Sequence, residues 1–195
     1  MPTSPGATPP GWRTLSTEVA LWHGSTRSAI DQMLANGIDL NRSRLDLDFG
    51  RGFYMTTKRS QAERWAQLKY RNLSPARRAS DRPALLRFRV PRGRLAALDH
   101  LVFVRADASY DAYWSFVCHC RSSTASRLNS HQHPDRAAPN DWYDVVCGPV
   151  AARWPPEGRF AFPDSDQFSF HTAGGVAILD ELIDAGAPAV TAINC

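Results

Sequence analysis

A chain of 195 residues, 43% of them hydrophobic, is long enough for one domain with an ordinary core and too short for two comfortable ones. Its mean hydropathy is -0.37 and it has no apolar run of about 18 residues, so a membrane-spanning helix is excluded. The formal net charge of +4 is carried almost wholly by arginine, since Lys58 and Lys69 are the only lysines; arginine suits bidentate pairing with phosphate or carboxylate, compatible with a nucleotide or a nucleic acid.

Residues 1–15, rich in proline and glycine, lack the basic start and apolar core of a signal peptide and read as a flexible lead-in. Residues 16–195 then form a single domain. Val19-Ala20-Leu21-Trp22 predicts a strand that stops at His23-Gly24-Ser25-Thr26. A helix carrying Ile30, Met33, Leu34 and Ile38 follows, with Ser25 or Thr26 as its cap and Gly37 as its end. Phe49-Gly50-Arg51-Gly52 brings the chain to a short aromatic strand, Phe53-Tyr54-Met55-Thr56. Thr57 or Ser60 caps the next helix, in which Ala62, Trp65, Ala66 and Lys69 recur at helical spacing.

The basic stretch 71–83 reads as a solvated loop, and Ala84 to Val90 as a half-buried strand. Ser109 to Cys120 predicts a helix with Tyr113, Trp114, Phe116 and Val117 inward, and residues 121–140 a long polar loop. Tyr143 to Cys147 is a strand ending at Gly148-Pro149, Gln167 to Thr172 an alternating strand, and Val176 to Ile183 lies in the last helix. Strands with interspersed helices give an α+β class.

Tyr54 and Trp65, on adjacent elements, are placed to close on a flat ligand, although aromatics equally build cores. Cys118-His119-Cys120 with His131 and His133 matches no usual zinc spacing, and Cys118 and Cys120 would point roughly 200° apart on a helix, so no metal is expected. Cys118 and Cys147 are more simply small buried hydrophobes. Four cysteines make no disulfide framework in a domain of this size, which favours a reducing compartment.

Taken together, Leu21-Trp22-His23-Gly24-Ser25, Phe49-Gly50-Arg51-Gly52-Phe53-Tyr54 and Ser60 to Ala66 resemble the ADP-ribosyltransferase superfamily in its His-Tyr-Glu branch, which includes diphtheria toxin and the poly(ADP-ribose) polymerases. Small bacterial toxin-like members also carry the later Tyr-Asp-Val-Val-x-Gly-Pro and Gln-x-x-Phe-His-Thr pieces. The resemblance implies a split β-sheet core with flanking helices, NAD as substrate without a metal, and a macromolecular acceptor, protein or nucleic acid. It implies a catalytic set of His23, Tyr54 and Gln167. His23 would bond the adenosine ribose, Gly24 would offer its backbone to the nicotinamide amide, and Ser25 would lie along the nucleotide. Tyr54 would stack on nicotinamide, Trp65 would be the second stacking aromatic, and Arg51 is a candidate phosphate contact.

The departures matter. Gln167 stands where the family has a glutamate that binds the 2′-OH of the nicotinamide ribose and steadies developing positive charge; an amide keeps the hydrogen bond and lacks the anion. Asp166 faces the other side of an extended strand and is a poor substitute. Ala62 replaces a serine that bonds the nicotinamide amide in polymerases, and Ser165 replaces the acid that recruits arginine acceptors. The expected activity is therefore mono-ADP-ribosyl transfer by a bacterial toxin or effector, cytoplasmic in the producing or a target cell. An NAD glycohydrolase and a non-catalytic NAD-binding module remain open.

Overall fold

The computed structural model describes residues 17–104, 110–122, 142–153 and 158–193. The lead-in at 1–15, most of the polar stretch 121–140 with His131 and His133, and Trp154 lie outside the described residues. In chain order the elements are β1 (Glu18–Thr26), α1 (Arg27–Asn36), a 3-10 turn (Leu40–Arg42), β2 (Phe53–Met55), α2 (Arg59–Arg71), α3 (Pro75–Ser80), β3 (Pro83–Pro91) and α4 (Arg92–Ala96). There follow β4 (His100–Val102), α5 (Tyr110–Arg121), β5 (Val145–Gly148), β6 (Ala151–Arg153), β7 (Phe160–Ala161), β8 (Gln167–Phe170), α6 (Ala173–Asp184) and β9 (Ala189–Ala192). The class is α+β.

Three small sheets are described. The first has the order β1-β3-β9 and is antiparallel throughout; the second has the order β2-β8-β5-β4, with only β4 and β5 parallel; β6 and β7 form a ribbon. One antiparallel bridge, Trp22 opposite Thr56, joins β1 to the end of β2. Strand alternation decides what each face buries. On β8, Phe168 and Phe170 turn to a core that also takes Leu21, Leu86 and Phe88 from the first sheet, Phe53 and Met55 from β2, and Val176 and Leu179 from α6. The opposite face of the second sheet carries Val146 into a separate aromatic cluster with Phe49, Phe103, Tyr113, Trp114 and Phe116.

Three expectations need correction. The first strand does not stop before His23: it pairs with β3 through Thr26, so His23, Gly24 and Ser25 are strand residues, and Thr26 precedes α1 without a side-chain cap. The 71–83 stretch is not all loop. Ser74 accepts from the Arg77 amide and Pro75 fills the first helical turn, and this cap supports α3 despite its exposure. The helix after β2 begins at Arg59 with Lys58 at its N-cap, so neither Thr57 nor Ser60 caps it.

Candidate functional site

The direction of the β1 backbone follows from two flanking bonds. Arg27 N–H donates to the Arg82 carbonyl and Arg92 N–H to the Thr17 carbonyl, which extends the β1–β3 register and assigns the odd-numbered residues of β1 to β3. Even-numbered residues point the other way. Trp22 accordingly exchanges both backbone bonds with Thr56, at 2.8 and 3.0 Å. Two residues on, the N–H and C=O of Gly24 leave the same edge, toward where the register would bring Tyr54. Among the described residues no backbone bond continues the pairing there. Instead the His23 imidazole occupies the Tyr54 carbonyl, its Nδ1 donating at 2.7 Å.

That bond defines the His23 tautomer and leaves Nε2 as an acceptor, 3.5 Å from Lys69 Nζ. The ring stacks on Phe53 at 4.5 Å. Burial, and secondarily the Lys69 ammonium, pull its pKa down to about 3 against the raising effect of the Tyr54 bond, so the imidazole is neutral at ordinary pH. Ser25, on the same strand face, is also buried. Gly24 has a packing reason as well as a chemical one: a Cβ there would overlap the Ala62 carbonyl oxygen, because α2 crosses β1 at this point.

Tyr54 turns away from Phe53 and Met55 toward the aromatic cluster. Its hydroxyl donates to the Gly50 carbonyl at 2.7 Å and accepts from the Phe49 amide at 3.0 Å, and burial holds the phenol well above its ordinary pKa. Gly50 takes the positive φ of 74° that this tight return requires. The preceding loop is therefore fastened to the strand that follows it. A second fastening is His171 Nδ1 donating to the Arg51 carbonyl at 2.6 Å, and the Arg51 guanidinium reaches Asn41 Oδ1 at 2.9 Å.

Gln167 lies on the same face of the second sheet as Ser169, which pairs with Tyr54, so the structure assembles these residues on one surface. It is buried, and its Nε2 donates to Asp48 Oδ2 and to the Pro149 carbonyl, both at 2.8 Å. Asp48 is buried too; it receives the Ala151 amide at 2.8 Å and pairs with Arg121, whose Nε is 2.8 Å from Oδ1 and whose second nitrogen also bonds that oxygen. Sequence reasoning missed Asp48. Its partners are 73, 103 and 119 positions away, and the flanking Leu47 and Phe49 were the only local hint of burial.

Asp166 does face the other way, as strand alternation predicted. Its carboxylate takes the hydroxyls of Thr56 and Thr57 and the Thr57 amide, while its backbone exchanges bonds with the Gln61 side chain. This clasp holds the start of β8 against the start of α2. Beyond it, Trp65, Leu68, Val150, Phe162 and Pro163 line an apolar groove of about 340 Å³. Trp65 is 44% exposed and serves this open wall, not the core. Tyr54 is not part of that lining. Ser165 bonds the Val150 amide and the Phe162 carbonyl. Among the described residues no cluster of His, Cys, Asp and Glu is arranged to hold a metal, and no helix is long and apolar enough to cross a membrane.

No curated protein and no solved structure matches the chain. A family model does, over residues 19–153, from β1 through β6 and short of the strand bearing Gln167. The match covers more than half of the sequence, and the chain belongs to the family described as protein of unknown function (DUF3990).

Proposed function

We propose that the chain binds NAD where β1 and β2 part and acts as a mono-ADP-ribosyltransferase on a protein or nucleic acid. The observation that carries this is the Gly24 backbone. Its N–H and C=O leave the β1 edge as an adjacent donor and acceptor, the complement of a primary carboxamide such as that of nicotinamide. Three further features support it. His23 is neutral with an accepting Nε2, suited to a sugar hydroxyl. Two sheets joined, among the described residues, by a single bridge agree with a split-sheet core. The fastened Phe49–Tyr54 segment agrees with the resemblance of its residues to the His-Tyr-Glu branch.

In this reading the glycosidic C–N bond of NAD breaks first, nicotinamide leaving with the electron pair, and an oxocarbenium-like sugar is then captured by an acceptor that gives up a proton. The protein's part is to hold the donor and shape the charge around it. Nicotinamide release from NAD, followed by chromatography with and without an acceptor extract, tests the proposal. Release that depends on Tyr54 is expected, so Tyr54→Ala should abolish it; persistence of release in that variant would reassign the site. Absence of release from the unaltered chain would sink both transferase and glycohydrolase.

One observation favours a second reading, an NAD-binding module without turnover: the residue at the position of the glutamate of the resembled His-Tyr-Glu branch is an amide, buried and bonded to Asp48 and Pro149. NAD binding by calorimetry with no nicotinamide release would select it.

A further inference from the structure

The two acceptors around the Gln167 amide decide its orientation. A carboxylate oxygen of Asp48 and the carbonyl of Pro149 both demand protons, and each accepts at 2.8 Å, so the NH2 group must face them. Oε1 is thereby turned away, and among the described residues no hydrogen bond ends on it. Asp48 is itself held without slack: Arg121 takes one oxygen, and the Ala151 amide shares the other with Gln167.

We infer that Asp48 is a positioning residue that presents Gln167 Oε1 as a hydrogen-bond acceptor for a sugar hydroxyl, and that the carboxylate at 48 requires an amide at 167. The inference rests on the NAD reading for the identity of the sugar. The requirement for an amide does not. A glutamate at 167 would set its carboxylate against the Asp48 carboxylate and the Pro149 carbonyl, three acceptors with no proton among them, in a buried site. The charge that the resembled His-Tyr-Glu branch places at the position of 167 would reside in this chain at 48, one hydrogen bond further back and paired with Arg121. The bond it accepts from Nε2 polarises the amide toward a more basic Oε1.

Two measurements test this. The first needs no NAD: thermal midpoints of Gln167→Glu, Asp48→Asn and the double variant. Gln167→Glu is expected to melt several degrees below the unaltered chain, and adding Asp48→Asn, which removes the carboxylate facing the new one, should make the double variant's loss smaller than the two single losses added together. Additive losses in the double variant would overturn the pairing. The second compares NAD with its analogue lacking the 2′-OH of the nicotinamide ribose, by nicotinamide release or, if the chain only binds, by affinity. The unaltered chain should prefer NAD by about tenfold or more, and Asp48→Asn should erase that preference. A preference retained in Asp48→Asn overturns the positioning role and leaves the NAD reading intact. A chain that takes neither compound overturns the NAD reading and the sugar role of Oε1, and the melting cycle then decides the pairing alone.

Discussion

At Gly24 a single methyl group separates two helix placements. Because the added Cβ would occupy the space of the Ala62 carbonyl oxygen, Gly24→Ala must lift α2 from β1. A loss of about 1–3 kcal/mol is expected in urea unfolding, the usual result of overpacking. His23 gives a pH signature. Its pKa falls from 6.5 to about 3 on folding, so below the unfolded value the unfolded chain binds the extra proton. Stability is unaffected by this group above pH 6.5 and declines as pH falls from there toward 3, by roughly a few kcal/mol in all. His23→Gln should flatten that part of the stability profile, and a slope unchanged in the variant would mean that the imidazole is not held neutral.

Arg121 belongs to the same scale. Asp48 keeps only 4% of its side chain exposed against 20% for Arg121, so removing the arginine strands a buried carboxylate. Arg121→Ala is expected to cost about 3–5 kcal/mol, and removing Asp48 as well to cost less than the two single losses added together. Equilibrium unfolding of the three variants measures the difference.

Between elements, the Asp166 clasp joins β8 to β2 and α2 with a carboxylate that takes three donors. Asp166→Ala leaves the Thr57 amide and two hydroxyls to find water, and about 1–3 kcal/mol should be lost, with faster amide exchange at the start of α2. Elements of this length show how far sequence could lead. α5 and α6 were legible because helical spacing persists over twelve residues in each, β3 because its second half alternates, and β1 only as the apolar run Val19 to Trp22. β4, β6, β7 and β9 span two to four residues, too few for any period to register, and exist because a neighbour offers its edge. α3 was hidden by its charges although Ser74-Pro75 is a recognisable start. In the site, Tyr54 and Gln167 were readable as residues on strands, and His23 and Gly24 as residues at the end of one. The bonds that give them their states were not, since Asp48 to Gln167 and His171 to Arg51 each close a loop of more than a hundred residues. Trp65 lines an open apolar groove past the Asp166 clasp, of which Tyr54 is not part.

For the whole molecule, the family match ends at residue 153, before β8 and α6. β8 is an inner strand of the second sheet, between β2 and β5, and α6 supplies Val176, Ile178, Leu179 and Ile183 to the main core. A fragment limited to 19–153 should therefore lack a cooperative unfolding transition by circular dichroism, whereas the same start continued to residue 193 should show one.

The lateness of β8 has a temporal consequence. Its partner Phe53 pairs with Phe170, so during synthesis β2 waits on the order of ten seconds for the strand that holds it. Throughout that interval Tyr54 has no sheet to stand in and Asp48 no amide to hold. The nascent chain carries His23, Gly24 and Tyr54 well before Gln167 joins them, and on the NAD reading proposed above any ability to engage a dinucleotide arrives only once β8 has left the ribosome.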